Sequence, residues 1–133
     1  MAPPVVPAEL FICGAKVINE VHRNMAAERC RFPAIVHCAD THDFIYIQHE
    51  PELDEHHWHT GDRLIDSAGR VHVLSQSEGE GLYWRRLPGL VCLPELNASL
   101  RAFAAGLGIC CIPKLTVRSA EEAVALVAWL EMQ

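Results

Sequence analysis

The chain has 133 residues, of which 50% are hydrophobic and 21% are charged, and its formal net charge is −6. This composition is typical of one globular domain and argues against a disordered chain. The longest basic cluster is Arg85-Arg86 and no segment approaches the roughly 20 apolar residues that span a bilayer, so neither nucleic acid nor a membrane is expected as a partner.

The first 30 residues predict an N-terminal extension that is partly disordered and partly helical. Residues 1–7 are rich in proline, and residues 8–28 carry apolar side chains at helical spacing, interrupted by Gly14. No basic region precedes an apolar run, so a secretory signal is not expected and the six cysteines are predicted to be thiols in the cytosol. Met25 is an alternative start of the protein, in which case residues 1–24 are an upstream extension.

Two β-hairpins are predicted in the middle of the chain. Residues 32–38 and 44–48 are rich in strand-forming side chains and are separated by a polar turn. Residues 63–66 and 70–75 form a second pair around the turn Ser67-Ala68-Gly69, in which Gly69 takes a positive φ and Asp66 bonds the turn backbone. A further strand is expected at residues 82–85.

The last third of the chain predicts a helix, a buried strand and a second helix. Pro94 begins the first helix, and Gly106 is expected to close it in the left-handed conformation. An apolar strand follows at residues 109–112. Ser119 and Glu122 form a capping box, in which Glu122 reaches back to the Ser119 amide, and its helix runs to about Leu130. Four or five antiparallel strands followed by helix, strand and helix make residues 31–133 one two-layer α+β domain.

The segment at residues 49–62 is the first candidate site. It holds four of the eight histidines and five acidic residues, with no lysine or arginine. Glu55, His56, His57 and His59 are candidate ligands for zinc or nickel, because imidazole and carboxylate suit these ions. No fixed ligand spacing is present, so the expected binding is weak. The alternative is a solvated acidic loop whose histidines bind nothing.

Three further groups of residues are candidates for catalysis. Cys110-Cys111 beside Lys114 is bracketed by isoleucines, and burial would suppress a thiolate there. Ser67 with its neighbours Asp66 and His72 lacks a nucleophile elbow and oxyanion donors. An enzyme site built from dispersed residues, such as His37, Cys38 and His72, remains a third hypothesis.

Acidic and aromatic side chains together predict a surface that binds another protein, which is expected to be basic. The acids are Glu50, Glu52 and Asp54, and the aromatic anchors are Trp58 and Trp84, which are predicted to lie exposed in or beside polar loops. The preferred function is therefore a small cytosolic, non-catalytic protein, in the manner of a regulatory or immunity-type partner, without a cofactor. The alternative is a weak transition-metal binding or sensing protein that uses residues 49–62.

Four motifs resemble those of a small bacterial family catalogued only as a domain of unknown function. They are FPAI at residues 32–35, GDRLIDSAG at 61–69, CCIPKLTV at 110–117 and the helix start at 119–127. The resemblance covers about residues 31–130 and implies that they form a single domain. It implies no activity, cofactor or catalytic residue.

Overall fold

A computed structural model of the chain describes residues 30–79, 81–109 and 115–133. Within these ranges five strands form one antiparallel sheet in the order β2-β1-β3-β4-β5. The strands are β1 (Ala34–His37), β2 (Phe44–Ile47), β3 (Arg63–Asp66), β4 (Arg70–Ser77) and β5 (Gly81–Leu90). The same ranges contain a 3-10 helix, Glu50–Glu55, and two α-helices, α1 (Leu93–Gly106) and α2 (Ala120–Glu131). The predicted α+β class is confirmed.

The β3–β4 hairpin follows from its turn residues. Gly69 has a φ of 89°, as its position at the end of a three-residue turn requires. The Asp66 carboxylate accepts the N–H of Ala68 at 3.1 Å and that of Arg70 at 2.8 Å. The β1–β2 hairpin is also confirmed, and β5 is longer than its prediction and contains Pro88, which an edge strand tolerates.

The helix ends confirm one predicted cap and correct two details. Ser119 caps α2 by accepting the Glu122 N–H at 3.2 Å. The Glu122 carboxylate accepts the N–H of Arg118 at 2.9 Å, not that of Ser119 as predicted, so it satisfies a donor one residue further from the helix. Gly106 was predicted to close α1, but it is the last helical residue, and the left-handed position is Gly108, with a φ of 78°.

The two faces of the sheet form two separate cores because alternate strand residues point to opposite sides. The first core packs the sheet against α1 and α2 and includes Ile35, Ile65, Val71, Leu100, Val124 and Val127. The second core lies on the other face and includes Val36, Leu64, Leu74, Trp84, Leu53 and Cys30. Cys30, the last residue of the predicted extension, is thus buried in this second core.

Several predictions fall outside the described residues, among them the disorder of residues 1–7 and the Cys110-Cys111 pair beside Lys114. The helix predicted at residues 8–28 lies wholly outside them, and the strand predicted at 109–112 lies outside them except for Ile109. In the described part of the chain, no helix is both long enough and apolar enough to cross a membrane.

Candidate functional site

The acidic segment, residues 49–62, runs over the second face of the sheet. Its 3-10 helix, Glu50–Glu55, has Pro51 in its first turn and buries Leu53 in the second core. The carboxylate of Asp62 is 2% exposed and holds the far end of the segment, because it accepts the N–H groups of Ala39 and His59, each at 2.8 Å. The segment is therefore held at Leu53 by packing in the second core and at Asp62 by hydrogen bonds to the backbone.

Trp58 lies half-buried at the outer surface of the acidic segment. Its indole N–H donates to the Leu53 carbonyl at 2.7 Å, so the ring is held by the 3-10 helix. The ring meets that of Trp84 edge to face, with centroids 6.3 Å apart, and that of His56 at 5.0 Å. The structure thus presents Trp58 at the surface with its polar atom already satisfied from within the chain.

Trp84 does not lie at the surface, and the prediction that it is an exposed anchor is wrong. It is 4% exposed because its position in β5 points toward the second core, where it packs with Leu64 and Leu74. Its role in this surface is to support Trp58 from beneath. The polar loop that precedes β5 in the sequence suggested exposure, but the strand begins at Gly81 and turns Trp84 inward.

The acidic side chains of the segment differ in their exposure to solvent. Asp54 and Glu55 are exposed, whereas Glu50 and Glu52 are partly buried. Glu52 accepts the N–H of Gln48 at 3.0 Å, so its carboxylate also stabilises the start of the 3-10 helix. These four carboxylates give a negative charge to the part of the surface around Trp58.

The candidate metal ligands are not brought together. The 3-10 helix ends at Glu55, and His56 has an extended backbone with φ −116° and ψ 156°. Neither a continuous strand nor a continuous helix therefore aligns Glu55 with His57 and His59. Among the residues that the structure describes, no group of three or more His, Cys, Asp or Glu side chains could hold a metal ion.

The dispersed residues proposed for an enzyme site lie on opposite faces of the sheet. His72 pairs with Leu64 in the ladder and is buried on the second face, where its Nδ1 lies 3.5 Å from Sγ of Cys30. His37 is two residues beyond Ile35 on β1 and lies on the first face. The sheet separates the two histidines, so His37, Cys38 and His72 do not form one site.

The Cys30–His72 pair is electrically neutral near pH 7. Burial raises the pKa of the Cys30 thiol to about 12, with a further contribution from the Asp66 charge. Burial also lowers the pKa of His72 to about 4. A thiolate–imidazolium pair needs the opposite shifts, so this contact is a packed core contact with low nucleophilicity.

A cleft of about 530 Å³ opens on the first face, between the β1–β2 turn and the first half of α1. We call this cavity the His37 cleft; its walls include Ile65, Leu87, Leu96, Arg63, Glu95 and Ser99 besides His37. The His37 ring stacks on Phe44 with centroids 4.2 Å apart and an interplanar angle of 4°. Burial, and then the nearby His42, lower the pKa of His37.

His37 was a candidate site residue from the sequence, but the cleft around it was not predicted. The sequence feature that could have indicated a site here is a histidine at the end of an apolar strand, directly before a polar turn. Glu95 and Ser99 carry no such signal, because only the packing of α1 over the sheet brings them opposite His37.

Comparison with known proteins places the chain in a family. A family model described as a protein structure with unknown function, DUF4144, matches residues 32–127. The chain belongs to DUF4144. The resemblance expected from the sequence motifs is thereby confirmed.

The fold of this DUF4144 chain has a solved counterpart. An NMR structure of a protein from Shewanella amazonensis is similar to it, with 23% sequence identity and a TM-score of 0.58. The similarity covers 77% of this chain and 90% of that chain. At this identity the likeness establishes a shared fold. No curated protein matches the DUF4144 chain.

Proposed function

We propose that this DUF4144 protein is a non-catalytic, cytosolic protein that binds a basic protein partner, as a regulatory or immunity-type component. The observation that carries the proposal is the surface around Trp58, an aromatic ring held in place by its own chain beside the exposed acids Asp54 and Glu55. Tryptophan is among the residues that most often supply binding energy at the centre of an interface.

The surface around Trp58 is already ordered in the free protein, and this order favours binding. Leu53 anchors the 3-10 helix in the second core, Asp62 fixes the end of the segment, and Trp84 supports the Trp58 ring. A surface that is already ordered loses little conformational entropy when a partner docks. A larger share of the interaction free energy is then available as affinity.

The charge of the segment favours a basic partner. Residues 49–62 contain five acids and no lysine or arginine. Charges of one sign beside an aromatic anchor raise the association rate with a partner of opposite sign and suppress binding to acidic proteins.

Two further observations support a non-catalytic role in the cytosol. His37 and His72, which the sequence suggested as parts of one enzyme site, lie on opposite faces of the sheet. In the described part of the chain, Cys38 and Cys92 are free thiols, which is the usual state in a reducing compartment.

Affinity capture from the host lysate with three baits tests the proposal. We expect the wild-type protein to capture a basic protein, the Trp58→Ala variant to lose it, and Trp129→Ala to retain it. Trp129 is the matched control because it is 47% exposed but lies on α2. Asp54→Asn/Glu55→Gln provides a second variant that leaves the core contacts of the segment intact.

Surface plasmon resonance on the purified pair then separates the two contributions. The Asp54→Asn/Glu55→Gln variant should slow association and flatten its dependence on salt, whereas Trp58→Ala should speed dissociation. If the captured protein binds Trp58→Ala as tightly as wild type, and salt leaves the association rate unchanged, this surface is not the interface.

A further inference from the structure

Strand β2 lies at one edge of the sheet, and its sequence, FIYI, consists of apolar and aromatic residues. An edge strand offers backbone N–H and C=O groups to other chains, and proteins usually protect such strands with charged side chains, proline or a bulge. The opposite edge, β5, has this protection, because it contains Arg85, Arg86 and Pro88. β2 contains neither a charged residue nor a proline, and its register with β1 is regular. The strand therefore lacks these protections within its own sequence.

The register of β1 and β2 shows which N–H groups of β2 point away from the sheet. Hydrogen-bonded and non-bonded pairs alternate along an antiparallel ladder. The Cys38 N–H donates to the Asp43 carbonyl at 2.8 Å, so the next pair, His37 and Phe44, is a non-bonded one. Every second residue of β2 from Phe44 onward thus directs its N–H outward, and Tyr46 is one of them. We call this outward side of the strand the β2 edge.

Two carboxylates from outside the strand occupy the β2 edge. Oε2 of Glu131, the last residue of α2, accepts the Tyr46 N–H at 2.8 Å, and this hydrogen bond lies at the exposed surface. Directly after the strand, Oε1 of Glu52 accepts the Gln48 N–H at 3.0 Å. A carboxylate is a strong acceptor that donates nothing, so it satisfies an edge N–H without continuing the ladder. The two glutamates thus close the β2 edge.

An apolar groove adjoins the β2 edge. Its volume is about 380 Å³, and Tyr46 lines it together with Val124, Ala128, Trp129 and Met132. Trp129 and Met132 are 47% and 77% exposed, and they are two of the four large hydrophobic side chains that lie exposed in the described part of the chain. We call this surface the Trp129 groove. An apolar surface beside an apolar strand edge is typical of a site of association between proteins.

We propose that the β2 edge and the Trp129 groove form an interface for a second copy of this chain, and that Glu131 blocks it. An antiparallel edge strand can pair with its own copy around a two-fold axis, because each copy presents the same donors and acceptors to the other. β2 has no charged side chain that would oppose its copy. The pairing requires the Tyr46 N–H to leave Glu131, and it covers Trp129 and Met132.

Sedimentation velocity of the full chain over a range of protein concentrations tests the block. Glu131→Ala removes the acceptor, so its dimer should have a dissociation constant at least about tenfold below that of wild type, which gives up a hydrogen bond to a charged group on pairing. Glu131→Gln removes the charge but keeps an acceptor oxygen, and should dimerise less than Glu131→Ala. Glu78→Ala removes the same charge from an exposed position in the β4–β5 turn and should behave as wild type.

Isotope-filtered NOE spectra of the Glu131→Ala dimer, prepared from labelled and unlabelled protein, locate the interface. Contacts between the two copies should join the α-protons of β2 and involve the Trp129 ring. Tyr46→Pro in the Glu131→Ala background should restore the monomer, since it removes the outward N–H at a position where an edge strand tolerates proline. Trp129→Ala in the same background should weaken the dimer, because it removes apolar surface that the partner copy covers.

The proposal is overturned by any of four results. These are a Glu131→Ala variant as monomeric as wild type, equal dimerisation of Glu131→Ala and Glu78→Ala, a wild-type protein that already dimerises through β2, and a Glu131→Ala dimer whose contacts between copies lie outside β2. The last of these decides the location even if Tyr46→Pro prevents folding. Each result is obtained without a basic partner, so the outcome is separate from that of the proposed function.

Discussion

The buried carboxylate of Asp66 binds the guanidinium of Arg70 across the β3–β4 turn, with Oδ2 and Nε 3.0 Å apart. The same carboxylate accepts the backbone N–H of Arg31 at 2.9 Å, so one side chain joins the hairpin to the chain that enters β1. Asp66 is completely inaccessible to solvent. It combines a local turn bond, an ion pair and a long-range contact.

Replacing Asp66 by alanine should destabilise the protein by about 3 kcal/mol, because the change leaves the Arg70 guanidinium and several backbone donors without an acceptor. Asp66→Asn keeps one acceptor oxygen and should cost less. Urea denaturation at pH 7 measures both. Glu78→Ala, at an exposed turn position, is the control and should change stability by less than about 0.5 kcal/mol. Equal stability of the Asp66→Ala variant and wild type would contradict this role.

Two glycines should respond oppositely to alanine. Gly69→Ala should cost about 1 kcal/mol, since its φ is 89°. The nearest atom to a new Cβ there is Cβ of Ala120, at an ordinary 3.7 Å, so the cost is conformational and not steric. Gly106→Ala, at the last residue of α1 with no atom within 4 Å of the new Cβ, should stabilise by about 0.5 kcal/mol. Thermal melting of the two variants measures the direction of each change in stability. Melting temperatures that shift in the same direction would contradict the different backbone conformations of the two glycines.

Stability should fall as the pH drops from neutral toward 4. The pKa of His72 is about 4 in the folded protein, against an ordinary value of 6.5 for an exposed histidine. Between these values the unfolded state binds the proton and the folded state does not, so protonation favours unfolding. The contribution is fully present above pH 6.5, is lost as the pH falls toward 4, and amounts to about 3 kcal/mol.

Urea denaturation at pH 7 and pH 5 measures this dependence. His72→Gln should flatten it, whereas His57→Gln, at an exposed position, should not. Burial lowers the pKa of His37 as well, so a smaller slope of the same sign should remain in the His72→Gln variant. A pH dependence identical in wild type and His72→Gln would show that another group is responsible.

The described thiols should differ in reactivity. Cys92 is exposed, whereas Cys30 is buried with a pKa of about 12 and so has almost no thiolate near neutral pH. Iodoacetamide at pH 7.5, followed by peptide mass spectrometry, should label Cys92 rapidly and Cys30 only after denaturation. Labelling of both at the same rate in the native protein would mean that the chain around Cys30 opens readily.

Metal binding by the acidic segment should be no tighter than about micromolar, because the structure brings no closed ligand set together there. Isothermal titration calorimetry with zinc and with nickel measures the affinity of the wild-type protein. The variant His56→Ala/His57→Ala/His59→Ala identifies the ligands. Nanomolar binding that disappears in the variant would instead favour a metal-binding function.

Several local features could be predicted from the sequence because each depends on residues a few positions apart. The positive φ of Gly69, the Asp66 turn bonds and the Ser119 cap are all of this kind. The apolar stripe of α2 follows in the same way from helical spacing. The end of α1 was predicted to within two residues. Gly106 was expected to close the helix in the left-handed conformation, and Gly108 does so.

The sheet order, by contrast, depends on residues far apart in the chain. β1 lies between β2 and β3, so His37 pairs with both Phe44 and Arg63. A hairpin pattern predicts the first of these contacts but not the second. This order, together with the packing of α1 over the sheet, creates the His37 cleft from segments that share no local motif.

Burial was likewise decided by tertiary packing. Trp84 and His72 lie near polar residues in the sequence, and both are inside the second core. The composition, turns, caps and periodicity of this chain determined which elements form, because short-range sterics and hydrogen bonds act within a few residues. Which face each side chain occupies, and which side chains meet, was decided only by the tertiary structure, because strand register and layer packing depend on contacts between distant segments.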